Sequence, residues 1–466
     1  MQDLLGKKIV VLGAGVSGCA AARLAHSLNA SSVALLDSAP AEKFTELSAQ
    51  LASDGITLIC GDAAQNYDGA CDIAVISPGV PNDCAMATRI RAKAAVFKGE
   101  LEFAFRYCPW PVYAVTGTNG KTTTVELFTA CLKAVGKKVM AGGNIGTPLS
   151  QIALEKPELD CLVAEVSSFQ LENATDFHPT AAILLNVTPD HLNRHGTIEA
   201  YRGLKTSLLE HIAYCGHAVC NAQLDSAVNY PQGVSRARIW NQGEYNASAK
   251  LDGVRDYAIN AQGIIEINDD GSESLLVKRS SLQLRGNHNL QNVASVIAAM
   301  SALGYNLADY RMALENFHSG AHRIQTVVNA GGVKYIDDSK ATDVDALIQA
   351  LRTIGPSAGK NIILIAGGLD KGCALSEAKS ELRMYVKSIY LIGQCRERLA
   401  QQWKEIVDCT LCESIEAAVE QAAKQAVAGD IVLLSPACAS MDQFKDYAER
   451  GERFRLAAEH VTAEEK

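Results

Sequence analysis

Residues 112–132 read VYAVTGTNGKTTTVELFTACL. An apolar run, Val112 to Val115, enters a glycine-rich turn, TGTNGKTTT (116–124), and then a stretch with apolar residues at Val125, Leu127, Phe128 and Leu132. A strand that turns this way into an amphipathic helix makes a phosphate cradle. Gly117, Asn119 and Gly120 present backbone N–H groups at a helix N-terminus, Lys121 reaches terminal phosphates, and the Thr122 hydroxyl suits Mg²⁺. The nucleotide-facing set is Gly117, Thr118, Asn119, Gly120, Lys121, Thr122 and Thr123. The loop departs from the general G-x-x-x-x-G-K-[ST] pattern, because the first glycine would fall at Val115.

Outward from this unit, short apolar runs alternate with helical stretches: Ile9 to Leu12, Val33 to Leu36, Ile73 to Ile76, Cys161 to Val166, Ala181 to Val187, Ile362 to Ala366, Ile389 to Ile392 and Ile431 to Leu434. That alternation is the pattern of parallel α/β sheets, and runs apolar at both parities, such as Ile362 to Ile365, mark strands covered on both faces. The runs form three clusters, and 466 residues suit about three domains of roughly 150 residues. The expected fold is α/β in three domains on mainly parallel sheets: Rossmann-like at 1–98, P-loop ATPase-like at 99–320 and Rossmann-like at 321–466. Between Tyr230 and Arg279 the composition shifts to Gly, Asn, Asp and Ser, which reads as an antiparallel edge of the middle domain without chemistry of its own.

Composition narrows the function classes. Hydrophobic residues make up 48% and charged residues 20%, an ordinary globular balance that excludes disordered and fibrous proteins. Lys plus Arg number 43 against 52 Asp plus Glu, a net charge of −9 that argues against nucleic acid as a partner. Met1 to Lys8 carry acid, base and amide residues, so no secretory signal is expected there. The long uncharged stretch His288 to Ala308 carries three Asn and a Gln, too polar for a membrane span. A cytoplasmic protein, not inserted in a membrane, is expected. The 14 Cys show no paired C-x-x-C spacing and read as free thiols in a reducing compartment.

Three further constellations surround the cradle. VVLGAGVSGCAAARLA (10–25) contains a complete G-x-G-x-x-G at Gly13, Gly15 and Gly18, with Asp37 at the end of the next strand. Read alone it fits NAD, another diphosphate such as a UDP-sugar, or a turn that only packs a strand on a helix. Ser77-Pro78-Gly79 ends another strand of the same cluster. Next come two strand ends, one delivering Glu165, a hard oxygen donor for Mg²⁺, and one delivering Asp190, His191 and His195; His191 suits phosphates, while His195 reads as a local turn or cap. Last, GAHRIQ (320–325), DDSKATD (337–343), AGGLDKG (366–372) and SPACASMDQFKDYAERG (435–451) bring Arg323, Lys340 and Lys371 to strand ends, a cationic set suited to carboxylates and phosphates.

Together TGTNGKT, GGNIGTP (142–148), EVSSFQLE (165–172), NVTPDH (186–191), YRGLK (201–205), GNHNLQN (286–292), His322-Arg323, DSKAT (338–342) and SPACAS (435–440) resemble the Mur ligase family in order and over nearly the whole chain. Within it, DDSKAT and SPACASMDQF resemble the members that add D-glutamate to UDP-N-acetylmuramoyl-L-alanine during peptidoglycan precursor synthesis. The resemblance implies an ATP-dependent ligase, with two Mg²⁺ sites, and a monomer is expected. It assigns the N-terminal turn to the UDP part of the substrate rather than NAD, with Val16, Ser17, Asp37, Ser38, Ser77, Pro78 and Gly79 lining that site. It gives Lys121 and Thr122 to ATP phosphate and Mg²⁺, Glu165 to the first Mg²⁺, and His191 to a second. Lys205 matches a lysine carbamylated in the family, and Asn144 a position near the reacting phosphate and carboxyl groups. Asn289, Asn292, His322, Arg323, Asp338 and Lys340 match nucleotide contacts; Thr342, Lys371, Ser440, Met441 and Tyr447 match the D-glutamate site. Three positions depart from the commoner pattern: Asp343 where Asn is usual, Met441 for Leu or Phe, and Tyr447 for Phe. Asp343 would set a negative charge near a dicarboxylate and is left outside the binding set. Rival readings are a related ligase of the folylpolyglutamate type, a nicotinamide-dependent dehydrogenase, which leaves TGTNGKTTT unexplained, and a nucleotide switch, which leaves the C-terminal motifs without use.

Overall fold

A computed structural model describes residues 4–318, 320–369 and 375–464. By its internal contacts the chain divides into two compact units, Met1–Val187 with Glu199–Leu282 and Gln291–Phe317, and Thr188–Ile198 with Gln283–Leu290 and His318–Lys466.

The first unit holds two sheets. Strands β1 (Lys8–Leu12), β2 (Ser32–Asp37), β3 (Thr57–Cys60), β4 (Ile73–Ile76) and β5 (Val96–Gly99) form a parallel sheet in the order β3-β2-β1-β4-β5. A second, nine-stranded sheet contains β6 (Val112–Thr116), β7 (Val139–Gly143), β8 (Cys161–Glu165), β9 (Ala181–Leu184), β10 (His217–Asn221), β11 (Ser235–Trp240), β12 (Val254–Ile259), β13 (Gly263–Ile267) and β14 (Glu273–Lys278), in the order β14-β13-β12-β11-β10-β9-β6-β8-β7. In this sheet only β13 runs against its neighbours, pairing antiparallel with β12 and β14. The segment expected as an antiparallel edge is therefore mixed, since β11 and β12 extend the parallel ladder. Strand order reverses at β1 and at β6, and ligand crevices of open α/β sheets open at the carboxyl ends of strands at such points.

Apolar runs fall in strand interiors as the two-sided pattern predicts: all five residues of β6 and of β8 are buried. One apolar cluster extends from Val11 and Leu35 in the first sheet to Ala114, Leu162 and Ala182 in the second. The helices Val16–Ser27, Glu100–Phe105 and Leu149–Glu155 pack together between them.

The second unit is built on β15 (Gln325–Ala330), β16 (Val333–Asp337), β17 (Ile362–Gly367), β18 (Val386–Ile392), β19 (Cys409–Leu411) and β20 (Ile431–Leu434), in the order β15-β16-β20-β17-β18-β19. Only β15 is antiparallel. Two apolar clusters cover the two faces of this sheet. Because β20 lies between β16 and β17, DSKAT, SPACAS and the residues Gly368 and Leu369, which follow these three strands, leave the sheet side by side. No helix among the described residues is long and apolar enough to cross a membrane.

Candidate active site

The loop after β6 turns into the helix Lys121–Ala134 through Gly120, whose φ of +84° is the left-handed conformation that glycine adopts without strain. A Cβ there would lie 2.4 Å from Asn292 Oδ1, so buried Asn292 closes directly on the turn. Asn186, from NVTPDH, pins the loop: its Oδ1 accepts from Asn119 N at 2.9 Å, its Nδ2 donates to Asn119 O at 3.0 Å, and its carbonyl accepts from Thr118 N. Lys121 Nζ donates to Gly117 O (2.9 Å) and Thr118 O (2.7 Å), folded over the loop it would leave to meet a phosphate.

Two side chains approach from neighbouring elements. Glu165, at the end of β8 and 2% exposed, accepts from Thr122 Oγ1 and from Asn144 Nδ2, each at 2.8 Å. Lys205, on the helix Ile198–Glu210, is 1% exposed; its Nζ donates to Gly117 O at 2.8 Å and lies 4.7 Å from the centroid of the Tyr201 ring. Tyr201 OH in turn meets Thr118 Oγ1 at 3.2 Å. The solvated surface lysine that helical periodicity alone would suggest is not what the fold makes of Lys205.

Lys121, Thr122, Asn144, Glu165, Lys205 and Asn292 thus gather on one glycine-rich turn: two ammonium groups, a helix N-terminus, and adjacent carboxylate and hydroxyl oxygens. The oxygen pair of Thr122 and Glu165 fits Mg²⁺, which binds through one or two carboxylates and completes its shell with phosphate and water. Among the described residues no group of three or more His, Cys, Asp or Glu forms an all-protein cage.

A cavity of about 720 Å³ opens beside this turn. Its lining includes Gly13, Gly15, Val16, Ser17, Asp37, Ser38, Ser77, Pro78 and Gly79 from the first sheet, and Gly143, Asn144, Gly146, Pro148 and Gln170 from the second. Every residue expected at the UDP site is present, together with Asn144. The Asp37 carboxylate is occupied at the turn, accepting from Ala14 N (2.8 Å) and Ala39 N (2.9 Å). Gly18 serves packing, since a Cβ there would stand 1.8 Å from Gly13 O.

The second unit carries the remaining predicted residues. His191 has a left-handed backbone, φ +54°, and its Nε2 lies 3.3 Å from Asp190 Oδ2. His195 ends the short helix Leu192–His195, in keeping with a local turn. Asn289 Nδ2 donates to Arg285 O at 2.8 Å. At the end of β16, His322 Nδ1 and Asp337 Oδ2 are 2.6 Å apart, the His322 and Tyr447 rings meet edge-on, and Lys340 Nζ stands 5.0 Å from the Tyr447 centroid. Asp338 accepts from Ser435 Oγ (2.9 Å) and Ile324 N (3.3 Å). Burial pushes its carboxyl up to about 7, opposed by those bonds and by Arg323, and assisted by Asp337. Thr342 N bonds Lys340 O within the DSKAT turn, and Ser440 is buried, whereas Met441 is 73% exposed and forms no closed apolar wall. Lys371 lies outside the described residues.

Two roles escaped the sequence. Asp343 caps the helix Val344–Ala358, its Oδ1 accepting from Ala346 N, so its charge faces a helix N-terminus. Arg450, fully buried, donates to Ser339 O (2.8 Å), Cys438 O (3.1 Å) and Gly367 O (3.4 Å), joining the loops after β16, β20 and β17; burial lowers it to about 10. Nothing in YAERG separates this arginine from a surface one, because its partners are carbonyls distant in the chain.

Residues 115–300 match the Mur ligase middle domain, and residues 322–438 the Mur ligase glutamate ligase domain. The chain is 35% identical to a UDP-N-acetylmuramoylalanine–D-glutamate ligase of Thermoanaerobacter pseudethanolicus, covering 98% of this chain and 99% of that one. It is equally 35% identical to the ligase of the same name in Koribacter versatilis, over 100% of both. The crystal structure of MurF ligase from Thermotoga maritima in complex with ADP shares the fold, with a TM-score of 0.60 and 18% identity over 100% of both chains. With whole-length identity of this extent, and domain matches that cover the phosphate loop and the DSKAT motif, the chain belongs to the Mur ligase family.

Proposed function

We propose that the chain is an ATP-dependent ligase that adds D-glutamate to UDP-N-acetylmuramoyl-L-alanine through an acyl phosphate, releasing ADP and phosphate, in peptidoglycan precursor synthesis. One observation carries the reaction type: Asn144 lines the large cavity and also donates to Glu165 beside the phosphate loop. A substrate lying in the cavity therefore brings its terminal carboxylate to the place where a phosphoryl group is handed over. The substrate names come from the full-length relatives.

A carboxylate resists attack by an amine, so one of its oxygens first takes the γ-phosphoryl group of ATP. That step needs positioning and charge neutralisation more than covalent help from the protein. Gly117 to Thr123 hold the phosphates, and Lys121 turns from the loop carbonyls to the terminal phosphate. Thr122 and Glu165 would hold Mg²⁺, which would neutralise charge on the phosphate oxygens. Lys205, once carbamylated, supplies a further carboxylate at the loop, and the same reading gives His191 a metal-binding role. Asn289, Asn292, His322, Arg323, Asp338 and Lys340 hold the nucleotide. Thr342, Lys371, Ser440, Met441 and Tyr447 receive D-glutamate, whose amine attacks the acyl carbon and expels phosphate. The domains are assigned as 1–98 for the UDP-sugar, 99–320 for ATP and 321–466 for D-glutamate, in a cytoplasmic monomer.

Phosphate release from ATP with UDP-N-acetylmuramoyl-L-alanine, with and without D-glutamate, tests this reading. Sustained release only when all three are present is expected. Equal release without D-glutamate, or none with it, would overturn it.

A further inference from the structure

The two walls of the large cavity come from different sheets. One includes Ser77 to Pro81 and Cys84, after β4; the other includes the Gly143–Pro148 turn and Gln170 of the nine-stranded sheet. The helices Val16–Ser27, Glu100–Phe105 and Leu149–Glu155 join the sheets by apolar packing that reaches Leu171 and Ala174, whereas Asn82 meets this segment through polar groups.

Those groups converge on Asn82. Its Nδ2 donates to Glu172 Oε2 at 2.7 Å, and its Oδ1 accepts from Asn173 Nδ2 at 3.0 Å and from the Arg91 guanidinium. Arg91 Nη1 also donates to Asn82 O at 3.2 Å. The Asn173 carbonyl accepts from Gly99 N at 2.8 Å. Asn82 stands between wall residues Pro81 and Cys84, and Glu172 is two residues beyond Gln170. Donor and acceptor of one half-buried amide are both engaged, one bond being assisted by a carboxylate charge, so the amide ties the segment after β4 to the one after Gln170.

We propose that Asn82, Glu172 and Asn173 form a latch that holds the two cavity walls at the separation the UDP-sugar substrate requires, which makes them positioning residues for that substrate. The proposal rests on the reading of the cavity as the UDP-sugar site. Its physical content is a population: where only a fraction of molecules has the walls at the right spacing, the apparent dissociation constant rises by the inverse of that fraction. An open latch at about nine molecules in ten gives about a ten-fold weaker site, the scale of one lost charge-assisted hydrogen bond.

The test is steady-state kinetics of N82A, E172A and E172Q, with KM for UDP-N-acetylmuramoyl-L-alanine and for ATP determined separately. N82A and E172A are expected to raise KM for the UDP-sugar about ten-fold, with kcat and KM for ATP close to wild type. E172Q keeps an acceptor for Asn82 Nδ2 and is expected to restore most of the affinity. Unchanged KM in both alanine variants, a loss confined to kcat, or E172Q as damaging as E172A would overturn the latch. Should an alanine variant fail to fold, R91A, altering an exposed arm of the network, is expected to raise the same KM selectively, and an unchanged KM there counts against the proposal. If the wild-type protein does not turn over the UDP-sugar at all, the functional reading has failed rather than the latch. Hydrogen exchange over residues 80–86 then decides: faster exchange in N82A supports the latch, and no change overturns it.

Discussion

Glu165→Gln separates the chemistry of the phosphate loop from its architecture. The carboxylate is buried and accepts from Thr122 Oγ1 and Asn144 Nδ2. Truncation to Ala would orphan the buried Thr122 hydroxyl at about 1–3 kcal/mol and remove the bond from Asn144, and the resulting loss of stability would obscure any loss of function. Gln keeps the shape: its carbonyl accepts from Asn144, and its amide donates to a rotated Thr122 hydroxyl. Retained bonds limit the loss of stability to about 1 kcal/mol. Catalysis loses a charged oxygen beside the transferring phosphoryl group, a change worth roughly 10²–10³ in kcat, or about 3–4 kcal/mol. ADP formation with both substrates present reads the first effect, thermal unfolding without nucleotide the stability control, and ADP affinity titrated against Mg²⁺ the metal dependence. The expected result is a large fall in kcat, near wild-type melting, and ADP affinity that no longer responds to Mg²⁺. Wild-type turnover in a folded Glu165→Gln would refute the role of this carboxylate.

Lys205→Ala is expected to lose kcat by about 10³ and to recover part of it with short-chain carboxylic acids, which replace the missing carbamate; an unaffected variant, or one indifferent to added carboxylates, contradicts the carbamate. Gly120→Ala places a left-handed residue at a cost of about 1–2 kcal/mol and sets its Cβ 2.4 Å from Asn292 Oδ1, so ADP affinity is expected to fall about ten-fold or more, and unchanged affinity contradicts the closeness of Asn292 to the loop. Asp338 has a folded value near 7, above the ordinary 3.8, so folding favours its protonated form: stability is complete below about pH 4 and declines until about pH 7. Without nucleotide, Asp338→Asn is therefore expected to melt like wild type near pH 4 and above it at pH 8, by at most about 4 kcal/mol for three pH units; a difference independent of pH contradicts the burial of this carboxyl.

Most strands were legible because a parallel strand covered on both faces must be apolar at both parities. Ile73–Ile76 and Ile431–Leu434 fall where the sequence places them, residue for residue. Short or glycine-containing strands such as β5 (VFKG) and β7 (VMAGG) carry too few apolar residues to stand out from turns. The phosphate loop was legible because its function fixes residue types at fixed spacing. Burial was not: Lys205 and Arg450 look like solvated bases until the fold brings Gly117 O to one and the carbonyls of Ser339, Cys438 and Gly367 to the other. For the same reason Asn186 passed unnoticed inside a recognised motif, and Asp343, read as a charge to be avoided, proved to be a helix cap. The first two sheets share one apolar cluster, which no local periodicity reveals, because each run carries the pattern of its own sheet alone.

The central claim, activation of the alanyl carboxylate by phosphoryl transfer, is tested most directly with UDP-N-acetylmuramoyl-L-alanine labelled with ¹⁸O in that carboxylate. The oxygen that accepts the phosphoryl group leaves with it when the D-glutamate amine attacks, so each released phosphate is expected to carry one labelled oxygen. Product formed while the phosphate remains unlabelled would contradict the account.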